Sequence, residues 1–92
     1  MIDKSTLKLF LTTGVTLTVS ADEVVTDVYG QIMDLFALYD FVNDAIRQKE
    51  NIKFMAEIEH KYKEDEEIKT QTIKHYYNIP CEKVSWFMIE EV

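Results

Sequence analysis

A chain of 92 residues that is 47% apolar, 29% charged and 12% aromatic, with two Gly and one Pro, has the composition of one folded domain and excludes both a disordered chain and a second core. Seventeen acidic residues against ten basic ones give a formal charge of -7, which opposes any general affinity for nucleic-acid phosphates or anionic membrane. The single cysteine, Cys81, allows no intramolecular disulfide and suits a reducing compartment, so a cytoplasmic location is expected.

The opening residues mix Asp3, Lys4, Lys8 and threonines among the apolar ones, which is not the continuous apolar core of a signal peptide. Uninterrupted apolar runs such as Leu35-Phe36-Ala37-Leu38 are about four residues long, far short of the roughly 20 that cross a bilayer. Residues 6–20 alternate with period two. Leu7, Leu9 and Leu11 oppose Lys8, Phe10 and Thr12, and after Gly14 the series resumes with Val15, Leu17 and Val19. This predicts a β-hairpin turning at Thr13-Gly14, with an aliphatic face that needs a cover.

Ser20-Ala21-Asp22-Glu23 has the S-x-x-E spacing of a capping box. From it, Ala21, Val25, Val28, Ile32, Leu35, Tyr39, Val42 and Ile46 recur at alternating spacings of four and three. That stripe predicts one long helix from Ala21 to about Gln48. Gly30 weakens the reading, and Asp40 offers an alternative cap for a second, separate helix. Ile52, Phe54, Ala56, Ile58, His60 and Tyr62 then return to period two and predict a strand. Lys63 to Glu67 reads as a solvated turn, and Ile68 to Tyr77 as a strand whose alternation slips near Thr72-Ile73, as at a β-bulge. Asn78 to Glu82 around Pro80 is a connector, and Lys83 to Glu91 the last strand. The expected fold is α+β: a mainly antiparallel sheet in the order β-β-α-β-β-β with one long helix packed on one face, forming a single domain over residues 1–92.

Soft ligands are limited to His60, His75 and Cys81, without the paired spacing of a zinc site. Two histidines facing each other across a hairpin, completed by Glu57 or Glu59, is the one metal arrangement the pattern allows; two ordinary strand histidines is the simpler reading. No Gly-rich phosphate loop or Ser/His/Asp constellation is present, and seventeen acids make chance carboxylate pairs uninformative. No enzyme, cofactor or resident metal is expected.

The acidic residues are unevenly placed. Asp22, Glu23, Asp27, Asp34, Asp40 and Asp44 lie in residues 21–46, which contain no Lys or Arg. On one helix, Asp27 and Asp34 would project from the same side, with Asp40 or Asp44 extending the row. Such a row either solvates an apolar helix or imitates a phosphate backbone. In size, charge and lack of motif the chain resembles small phage accessory proteins, anti-CRISPR proteins among them, and that resemblance implies an acidic inhibitor of a nucleic-acid-binding protein. The Gly-turn hairpin leading into an acidic cap, Leu9 to Val28, is similar to the end of small flagellar proteins of the FlbD type; it spans under a quarter of the chain and implies no residue role.

Adjacent strand residues point to opposite faces, so one member of each pair Tyr76/Tyr77 and Trp86/Phe87 must face out of a one-sided core. Tyr and Trp are favoured interface anchors. The leading expectation is a non-enzymatic protein-interaction module that self-associates, as a dimer, or binds a protein partner through Asp27, Asp34, Asp40, Asp44, Tyr76, Tyr77, Trp86 and Phe87. An acidic nucleic-acid mimic is the second expectation, and a small metal protein or enzyme using His60 and His75 the third.

Overall fold

The hairpin expected at the start of the chain is present in the computed structural model, which describes residues 4–91. β1 (Thr6–Leu11) pairs antiparallel with β2 (Thr16–Ser20). Gly14 takes a φ of 89° in the turn between them, a conformation that favours glycine. Leu7, Leu9 and Val19 are fully buried, so the aliphatic face is the core face.

The chain then departs from expectation. Residues 21–33 form no helix: β3 (Val24–Thr26) and β4 (Ile32–Met33) pair with each other, and only Leu35–Arg47 is helical (α1). One bond of the capping box is made, since the Ser20 N–H donates to Glu23 Oε2 at 2.9 Å. That bond closes a turn and not a helix, because Val24, Val25 and Thr26 follow, whose β-branched side chains favour a strand. The helix is capped instead by Asp34, whose Oδ1 accepts the Ala37 N–H at 2.7 Å. Asp40 lies inside the helix and caps nothing. Of the eight-residue stripe, Leu35 and Val42 of α1 are buried and Ile46 half-buried, whereas Tyr39, Val28 and Ile32 are exposed.

β5 (Ile52–Glu64) and β6 (Glu67–Ile79) form a hairpin closed by a two-residue loop, Asp65-Glu66. The ladder keeps one register throughout, so the bulge expected near Thr72-Ile73 is absent; the slip in alternation there reflects loss of a covered face, not an extra residue. The register shift in the molecule falls between Phe10 and Leu11, where β1 meets β7 (Val84–Glu90). A short 3-10 turn at Cys81–Lys83 follows Pro80.

Among the described residues, seven strands thus make two antiparallel sheets where one of five strands was expected: β2-β1-β7 and β4-β3-β5-β6. The α+β class stands. α1 closes both sheets, setting Leu35, Leu38, Val42 and Ala45 against Leu7, Leu9 and Val19 of the first and Val25, Ile52, Phe54, Ala56 and Ile79 of the second. Each fully buried Leu, Ile or Val here contributes about 1.5–3 kcal/mol relative to exposure. Beyond Ile58 the β5–β6 hairpin leaves that core and continues as a two-stranded arm, which accounts for dimensions of 50 × 29 × 26 Å. No helix among the described residues is long and apolar enough to cross a membrane.

Candidate interaction surface

The most built feature of the surface is the loop joining β3 to β4. Asp27 Oδ1 accepts the N–H groups of Tyr29 at 2.8 Å and Gln31 at 2.9 Å. The backbone closes the same loop, with the Asp27 N–H donating to the Gln31 carbonyl at 3.0 Å and the Gly30 N–H to the Asp27 carbonyl at 3.1 Å. Gly30 adopts a φ of 84°, which a side chain would strain. An aspartate bonding its own backbone two residues on is a recurrent turn device. Its effect here is to hold Val28 and Tyr29 out in solvent, Tyr29 at 92% exposure.

Beside this loop the outward face of β5 and β6 carries Met55 opposite Tyr76, and Lys53 opposite Asn78. Loop and strands enclose an open hollow of about 470 Å³. Val28, Met55 and Tyr76 supply its apolar walls and Lys53 a cation at its rim. Tyr76 is 77% exposed, whereas Tyr77 turns to the other face and stacks on Phe54 at a centroid distance of 4.6 Å. Burial, and secondarily the charge of Glu23, pushes the Tyr77 hydroxyl above its ordinary pKa of 10.0.

The three-stranded sheet has its own outward aromatics. Phe10 and Trp86, opposite each other in the β1–β7 ladder, stack at 3.9 Å with rings 9° from parallel. Phe87 faces inward and packs against Tyr39 of α1 at 4.8 Å, near the exposed Phe36. Each aromatic pair therefore splits across its sheet as alternation requires, but the two pairs occupy different sheets and do not form one patch.

The four aspartates are also separated. Asp27 is spent on its loop and Asp34 on the helix cap. Asp44 pairs with Arg47, and Asp40 is an exposed helical residue. The row of carboxylates requires a helix through residues 21–48, and that helix does not exist; local hydrogen bonding of Asp27 and Asp34 to backbone N–H groups explains why acids stand there. His60 and His75 do not face each other: His60 opposes Gln71 and His75 opposes Ala56. Four residues of ladder separate them, about 13 Å. Among the described residues no group of three or more His, Cys, Asp or Glu is placed to hold a metal ion. Cys81 is a half-buried free thiol 3.6 Å from Glu82 Oε2.

Val28 and Ile32 were missed as surface residues because the four-and-three spacing assigned them to the buried stripe of a helix, and Tyr29 because it fell within that helix. The Asp27-to-Gly30 turn chemistry and the density of β-branched residues were the available signals. Comparison of the chain with protein-family models, with curated proteins and with solved structures finds no match.

Proposed function

We propose that this chain is a non-enzymatic protein-interaction module whose docking surface is the hollow between the Asp27–Gln31 loop and the outward face of β5–β6. The observation that supports this reading is the local commitment of Asp27. A carboxylate that accepts two backbone N–H groups holds Val28 and Tyr29 outside the core, with Val28 beside Met55 and Tyr76. Holding large apolar side chains in water is unfavourable unless something covers them. A rigid apolar wall with one cation at its rim suits an apolar side chain of a protein partner or of a second copy.

Affinity capture from the native host tests the reading, with wild-type chain compared against Val28→Lys and Met55→Glu. Both substitutions lie at solvent-facing positions and leave the buried core intact. A partner held by wild type and lost by both variants supports the surface; the same proteins held equally by all three removes it.

A further inference from the structure

β6 is the outer strand of its sheet, paired with β5 on one side only. It is 13 residues long, contains no proline, and its register with β5 is continuous from Ile52–Ile79 to Glu64–Glu67. Proteins normally blunt such an edge with proline, a bulge, charge or a covering element; here only Lys69, Lys74 and the terminal Glu67 do so.

The free backbone groups can be assigned from the turn. Asp65 and Glu66 both have positive φ, the arrangement of a two-residue type I′ loop, whose flanking residues bond each other. Inward bonding alternates along an antiparallel ladder. Odd-numbered residues of β6 therefore turn N–H and C=O toward β5, and even-numbered residues turn theirs toward the open edge.

Ile68 and Tyr76 are both even-numbered, both 77% exposed and on the same face. They stand four residues to either side of Thr72. A two-fold axis at Thr72 sets Ile68 of each copy opposite Tyr76 of the other, Thr70 opposite Lys74, and Lys69 opposite His75. No like charges meet. Shifting the axis to Gln71 sets Ile68 opposite Lys74, and shifting it to Lys74 opposes two lysines. We infer that β6 is a homodimerisation edge: two copies add β6 to β6 antiparallel about Thr72, making one eight-stranded sheet from two of four strands. Five even-numbered positions per copy then exchange about ten backbone hydrogen bonds. This rests on the interaction-module reading and names its partner as a second copy. The formal charge of -7 on each chain opposes association, so the dimer tightens as salt rises.

Sedimentation equilibrium of the full chain, from micromolar to near-millimolar concentration, tests the edge. Wild type is expected to show a reversible dimer. Thr72→Pro removes an outward N–H and leaves the β5 ladder bonded, and Ile68→Lys removes the apolar side chain opposite Tyr76 and sets a like charge diagonal to Lys74 of the other copy; each weakens the dimer at least ten-fold with an unchanged circular dichroism spectrum. Trp86→Ser, on the other sheet, leaves it intact. A monomer at all concentrations, or a dimer indifferent to both edge variants, overturns the inference. The register is read by Ile68→Cys with Tyr76→Cys in a Cys81→Ser background. The two positions are about 26 Å apart within one chain, too far to bridge, but directly opposed between copies at about 5.5 Å. Mild oxidation should give a covalent dimer, and a failure to cross-link a sedimenting dimer overturns the register. A monomer whose partner capture still depends on Val28 and Met55 sinks this inference and leaves the hollow standing.

Discussion

The two ends of the β5–β6 hairpin share one uninterrupted ladder and differ in what lies over it. At the base, Ile52, Phe54, Ala56 and Ile79 are buried under α1 and against the first sheet. From Glu59 to Thr72 every residue is exposed, although Tyr62 and Ile68 continue the supply of large apolar side chains. The β5–β6 pairing is the same in both halves, but at the base β5 also pairs with β3 from Met55 to Glu57. A two-stranded hairpin is at best marginally stable alone in water, so the base is held by packing and the arm by its attachment to the base. Burial and exposure are thereby divided along a single element.

That division is broken most severely at Phe54. Phe54→Ala removes a buried ring and its stack on Tyr77, and is expected to cost about 3–5 kcal/mol in urea denaturation; a cost below about 1 kcal/mol places the stabilising core elsewhere. Next in size are the two aspartates that organise the segment feeding the base. Asp27→Ala leaves two backbone N–H groups and Asp34→Ala one without their acceptor, at about 1 kcal/mol per substitution. Nuclear magnetic resonance should show Asp27→Ala mobilising Val28 and Tyr29 while Asp34→Ala frays the first turn of α1. On the arm, by contrast, Ile68→Thr should change monomer stability by no more than about 0.5 kcal/mol, a value to be measured at concentrations too low for association. A large loss there means that the arm is packed against something and the contrast is false.

The smallest effect sharpens the base by pH. Tyr77 has its hydroxyl pKa raised by burial and then by Glu23, so the fold favours the neutral phenol. The resulting stability is fully present below the unfolded value of 10.0 and is lost as pH rises through the higher folded value. Tyr77→Phe should flatten that part of the stability curve; an unaltered alkaline loss assigns it to other groups.

Strand segments were legible wherever alternation coincided with a covered face. Leu7, Leu9, Val19, Ile52, Phe54 and Ala56 all fall on the side the pattern assigns to the core. Residues 21–33 were misread because Ala21, Val25, Val28 and Ile32 satisfy helical spacing while Val24, Val25, Thr26 and Gly30 resist helix locally; pairing with β5 and the Asp27 turn settled the conflict in favour of strand. That one member of each pair Tyr76/Tyr77 and Trp86/Phe87 faces out was readable from adjacency alone; that it is Tyr76 and Trp86 depends on the register of each strand against the core. The hollow was not, since its third wall, Val28, depends on a turn hidden inside a helical pattern, and the separation of the aromatic pairs depends on there being two sheets.

Amide hydrogen exchange along β5 and β6, at dilute and at high protein concentration, tests whether the base is held by the core and the arm is left for association. The expected result at dilution is slow exchange of N–H groups at Ile52 to Ala56 and rapid exchange of those from Glu59 to Thr72. At high concentration the even-numbered amides from Ile68 to Tyr76 should gain protection. Equal protection of base and arm at dilution, with no change on concentrating, contradicts it.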